Sequence, residues 1–131
     1  MIALDTNILV RYLLADDVAQ TRAARALLED LGTEYFVPIT VTLELEWVLR
    51  SSKAPRAEII GRVRDLLSLP NVRPQLSEAV FQALRWAEGG IDIADALHLA
   101  LSSKAERFVT FDEALVKQAR KEGVRPSVGS P

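Results

Sequence analysis

Apolar residues in this chain fall into two rhythms: short continuous runs, and longer stretches where they recur every three or four positions. The short runs predict strands at Ile2-Ala3-Leu4, Tyr35-Phe36-Val37, around Val72, at Arg107 to Phe111, and at an edge between Val124 and Val128. The longer stretches predict helices. Ile8 to Leu14 follows a cap from Thr6 or Asn7. Val18 to Leu31 sets Ala23, Ala24, Leu27, Leu28 and Leu31 on one side and stops at Gly32. Thr40 is the expected cap for Val41 to Arg50, whose apolar face reads as Leu43, Trp47 and Val48. Glu44 lies near the edge of that face, and Glu46 points away from it into solvent. Further helices are predicted through Ile59, Ile60, Val63, Leu66 and Leu67, from Glu78 to Glu88 after Ser77, from Ile91 to Ser103, and from Glu113 to just before Gly123.

Strands alternating with helices, the helices dominant, predict an α/β domain with a parallel sheet. At 131 residues the chain suits one domain with a real core. It shows no repeat, linker or low-complexity tract, so the expectation is a single domain over 1–128 with a loose tail at 129–131. A hydrophobic fraction of 49% argues against disorder. With a net charge of −2, any nucleic-acid contact must come from local basic surface. Cysteine is absent, which excludes disulfides, thiolate metal sites and cysteine nucleophiles. The start lacks the pattern of a signal peptide, and charges interrupt every apolar run. A soluble cytoplasmic protein is therefore expected, with no membrane partner.

Against that background the acids stand out. Asp5 and Asp112 each follow an apolar run and precede a helix, where parallel-sheet proteins keep their sites. The plain structural role for each is a helix cap or first-turn acid. Thr6 and Asn7 can cap in place of Asp5, and Thr110 with Glu113 fits a capping box that frees Asp112. Glu44 falls near the start of the helix after the second strand. Asp92 reads as a cap or a helper. Asp95, three positions on, enters an apolar helix where a carboxylate needs a partner. His98 is the single histidine and reads as a packed residue bonded to a neighbour. Oxygen-only donors of this kind suit a hard divalent cation. Arg11, Arg50, Lys53 and Arg56 are candidate phosphate contacts, though plain surface is the better reading for any one of them.

Leu4-Asp5-Thr6-Asn7, Glu44, Asp92-Ile93-Ala94-Asp95-Ala96-Leu97-His98 and Thr110-Phe111-Asp112 together resemble the PIN-domain nucleases, most of all the VapC-type toxins of toxin–antitoxin modules. The resemblance spans essentially the whole chain. It implies a three-layer α/β/α sandwich with a central, mainly parallel sheet, and metal-dependent endonucleolytic hydrolysis of RNA. It implies Mg²⁺ or Mn²⁺ held by Asp5, Glu44, Asp95 and Asp112, with Thr6, Asn7, Asp92 and Thr110 in support. It also implies a homodimer and a small VapB-like antitoxin that covers the site. The chemistry agrees, since two carboxylate-bound ions about 4 Å apart can flank an in-line displacement at a phosphodiester. Two competing expectations are a PIN-like module that binds RNA or protein without cutting, and phosphoryl transfer through an aspartyl intermediate. Asn7 disfavours the latter, because it stands where such an enzyme wants a second acid.

Overall fold

The computed structural model describes residues 1–131. The chain forms two compact units, Met1–Ser77 and Glu78–Pro131. The first unit holds β1 (Ile2–Ala3), α1 (Thr6–Leu14), α2 (Val18–Glu29), β2 (Tyr35–Val37), α3 (Ile39–Leu49), α4 (Arg56–Leu67) and β3 (Val72–Pro74). Its sheet has the order β1-β2-β3 and is parallel throughout, with Ile2 opposite Tyr35 and Tyr35 opposite Val72. Parallel pairing needs a crossover between strands. Helices α1 and α2 make the first crossover, α3 and α4 the second. Tyr35 and Val37 are buried in the middle strand, while Pro74 falls on an outer strand, where a missing N–H costs least. Leu9, Leu45, Leu49, Ile60, Val63 and Leu66 are almost wholly buried.

The second unit holds α5 (Ser77–Glu88, which starts at the boundary), α6 (Ile93–Leu101), β4 (Arg107–Val109), α7 (Glu113–Lys121) and β5 (Ser127–Gly129). Strands β4 and β5 pair in parallel, Arg107 opposite Ser127. Val80, Leu84, Ile91 and Leu99 are buried. The break between α5 and α6 needs glycine at position 90, while the contact at Gly89 is with the movable end of a long side chain. Gly90 has φ +116°, and a Cβ on Gly89 would overlap the Glu122 carboxylate. No helix is long and apolar enough to cross a membrane.

Several predicted boundaries move for identifiable reasons. Helix α1 starts at Thr6, capped by Asp5 and not by Thr6 or Asn7. Helix α2 stops at Glu29, and Leu31 is 68% exposed. The stop comes from Asp30, whose carboxylate accepts from the Gly32 N–H at 3.1 Å and the Thr33 hydroxyl at 2.8 Å. Buried Asn71 then satisfies two end carbonyls, donating to Leu28 O at 2.9 Å and Asp30 O at 3.1 Å. Helix α3 begins directly after Pro38, so Thr40 does not cap it. Gln75 does that work from outside, accepting from the Ile39 N–H at 2.9 Å. At the C-terminus the tail expected to be loose is tied down: Gly129 lies in β5 and accepts from the Thr110 N–H at 3.0 Å, and Ser130 O accepts from Arg107 at 3.1 Å.

Candidate active site

In the first unit, pairing with β2 continues one residue past β1, with the Leu4 N–H donating to Phe36 O at 2.9 Å. Asp5 therefore leaves the sheet in extended geometry and caps α1. Its Oδ1 accepts from the Thr6 N–H at 2.8 Å, and its Oδ2 makes no hydrogen bond. The cap and an outward carboxylate oxygen coexist in one residue, because a carboxylate has two oxygens. Thr6 is buried beside it, and its hydroxyl has no partner within the protein. Asn7 is exposed.

Helix α3 packs against α1. Its buried face is Thr42, Leu45, Glu46 and Leu49, not the Leu43, Trp47 and Val48 read from the sequence. Glu44 is exposed and makes no hydrogen bond. Glu46, expected in solvent, is 5% exposed and accepts from Arg50 Nε at 2.8 Å one turn on. A buried carboxylate with a cation beside it is a structural pair. Glu44 is thus the uncommitted acid of this helix and Glu46 the committed one. Trp47 stands 69% exposed, one turn from Glu44.

In the second unit, Asp92 caps α6, its Oδ2 accepting from the N–H groups of Ala94 at 3.1 Å and Asp95 at 3.4 Å. Asp112 caps α7 through Oδ1 to the Leu115 N–H at 3.0 Å, and its Oδ2 makes no hydrogen bond. This replaces the expected box of Thr110 and Glu113. Thr110 instead accepts from the Asp112 N–H at 3.0 Å and fixes the turn. Asp95 is half-buried on α6 and its carboxylate makes no hydrogen bond or ion pair. Burial raises its pKa above the ordinary 3.8. Asp92 and Asp112 raise it further by repulsion, and His98 opposes them. His98 is exposed rather than packed. It acts on Asp95 through its field, with no hydrogen bond.

The structure thus brings Asp92, Asp95 and Asp112 into one electrostatic neighbourhood. Within neither unit do three acidic or histidine side chains close into a ligand cage. Oxygen-only donors with unused lone pairs still suit Mg²⁺, which keeps most of its waters and needs only one or two carboxylates. The orphan hydroxyl of Thr6 fits the same chemistry as a polar group with lone pairs to offer.

Two of the basic residues expected at phosphates are engaged elsewhere. Arg11 pairs with Asp16 at 2.7 Å and donates to Gln20 at 2.6 Å, while Arg50 pairs with Glu46. Lys53 is exposed. Trp47 and Phe111 were read into a core face and a strand, and both rings are exposed. For Phe111 the missed signal was its position between two polar residues that end a strand and begin a helix.

Comparison with curated proteins finds no match. A family model described as the PIN domain matches residues 2–121, a span that takes in Asp5, Glu44, Asp92, Asp95 and Asp112. PIN domains are typically metal-dependent nucleases of α/β/α architecture, in keeping with the parallel strands and crossover helices seen here. The chain belongs to the PIN domain family.

Proposed function

We propose that this PIN-domain nuclease is an endoribonuclease and the toxin of a toxin–antitoxin pair, with Mg²⁺ or Mn²⁺ held by Asp5, Glu44, Asp95 and Asp112. One observation carries the reading. Asp95 is a half-buried carboxylate repelled by two other acids, with no hydrogen bond or ion pair and only the weaker opposing field of His98. A cation would remove that repulsion. Asp5, Glu44 and Asp112 support the same role, since each keeps at least one carboxylate oxygen uncommitted. Asp92 orients the start of α6 and so the backbone that carries Asp95. Thr110 holds Asp112 in its turn, Thr6 offers a hydroxyl beside Asp5, and Asn7 is an exposed polar neighbour.

When bound, the cation supplies charge relief at the phosphate and eases deprotonation of the attacking water. The chain's own part is to orient the carboxylates, each with an uncommitted oxygen. We read residues 1–128 as one PIN domain, working in the cytoplasm as a homodimer and restrained by a small antitoxin. The test is cleavage of single-stranded RNA by the purified chain. Expected is cleavage in Mg²⁺ or Mn²⁺ that stops with chelator and is lost in Asp5→Asn and Asp95→Asn variants that keep their fold. Undiminished cleavage in chelator would sink the metal mechanism. RNA binding without cleavage under any metal would favour a module that does not cut. Growth arrest on expression, relieved by the product of a small neighbouring gene, tests the toxin role.

A further inference from the structure

We propose that Phe111 is a specificity residue that stacks on an unpaired RNA base next to Asp112. The proposal rests on the ribonuclease reading and adds a substrate contact to it. Phe111 is 88% exposed, more than any other large apolar side chain in the chain. It belongs to no element, since β4 ends at Val109 and α7 begins at Glu113. Yet its backbone is held on both sides. The Thr110 N–H donates to Gly129 O at 3.0 Å, the Asp112 N–H donates to Thr110 Oγ1 at 3.0 Å, and the Asp112 carboxylate caps α7. A fixed turn therefore presents an unpacked ring.

Nothing in the turn calls for an aromatic residue. Burial of such a ring would stabilise the chain, and the fold forgoes it here. What the position offers is a flat apolar face one residue from Asp112, whose charge acts on Asp95. A cation at the acids would attract a phosphate but not grip a base, so a base contact at this spot needs a term independent of charge. Stacking of a base on an aromatic ring is such a term, worth about 1–3 kcal/mol per base. It also selects unpaired bases, because paired ones keep their faces covered. Thr110, Asp112 and Glu113 surround Phe111 in the chain, which suits a single base better than the continuous apolar patch of a protein interface.

The experiment compares wild type, Phe111→Ala and Phe111→Trp on a single-stranded oligoribonucleotide and on versions with one abasic position at each nucleotide around the cut. Phe111→Ala is expected to raise KM roughly 5- to 150-fold with little change in kcat, the equivalent of one stack. Phe111→Trp should hold KM near wild type. At one abasic position the difference between wild type and Phe111→Ala should vanish. Equal KM for wild type and Phe111→Ala, or a KM increase that no abasic position removes, would overturn the stacking role and leave the ribonuclease reading standing. A wild type that cuts no RNA would remove both. A Phe111→Ala chain that changes its oligomeric state with KM intact would assign the ring to a protein contact and likewise end the proposal.

Discussion

Asp95 is charged where charge is disfavoured, and the cost has a sign that can be measured. Its pKa is raised in the folded chain, so the fold holds the Asp95 proton to higher pH than the unfolded chain does. The contribution of this group to stability is greatest below its ordinary 3.8 and is lost as pH rises through the raised folded value. Without metal, Asp95→Asn is therefore expected to raise Tm at neutral pH, by a few degrees at most because the group is only half-buried, and to flatten the pH dependence above the ordinary 3.8. Mg²⁺ or Mn²⁺ should then stabilise wild type more than the variant. Thermal melts in chelator decide, and a lower Tm for Asp95→Asn at neutral pH would refute the argument. At this scale the acids stand out in the sequence but their bonding does not. Asp5 and Asp112 were legible as strand-end acids. Their capping bonds were not, because several neighbours could have made them and geometry alone selects among such donors and acceptors.

Helix α3 shows what element-level reading can and cannot reach. The strand before it is seen where the sequence puts it, at Tyr35–Val37, because a short run rich in β-formers that ends in proline allows little else. Its facing is another matter. Apolar residues occur all around α3, so the period that assigns a buried side is blurred, and the large Trp47 drew the predicted face towards itself. The structure chooses Thr42, Leu45, Glu46 and Leu49, a set with good helical spacing. The choice separates two glutamates that sequence could not tell apart by position. Glu44→Gln is expected to lower cleavage by roughly a hundredfold or more with Tm unchanged, since the side chain is exposed and is a proposed ligand. Glu46→Gln should do the reverse. It should keep cleavage and lose about 1 kcal/mol of stability as the bond to half-exposed Arg50 weakens. Melting curves and cleavage rates on the two variants settle it; equal effects on both quantities would mean that the helix phase does not divide their roles.

Across the whole molecule, the parallel α/β class was legible because alternating elements with crossover-length helices leave few other arrangements. The division into two compact units was not, because the boundary at Ser77 falls in a short strand-to-helix connection that looks like any other. Charge at this scale leads to the last prediction. The chain is acidic overall, with a net charge of −2. Arg11, Arg50, Arg62 and Arg73 are each paired with a carboxylate, at 2.7, 2.8, 2.7 and 3.2 Å. Other lysines and arginines are exposed, but none is among the charges that act on Asp95, which are Asp92, Asp112 and His98. On the ribonuclease reading, binding of single-stranded RNA at the acids is expected to depend on a few contacts, with the proposed stack supplying a share that salt does not touch. Each phosphate neutralised contributes a slope of about −0.7 in log K against log salt for a single strand. One or two such contacts give an expected slope between about −0.7 and −1.4 for 1/KM as KCl is raised at fixed Mg²⁺. A slope steeper than about −3 would require several phosphate contacts at once. Exposed basic residues away from the acids, such as Lys104, Lys117 and Lys121, would then be holding RNA, and binding would be governed by charge after all.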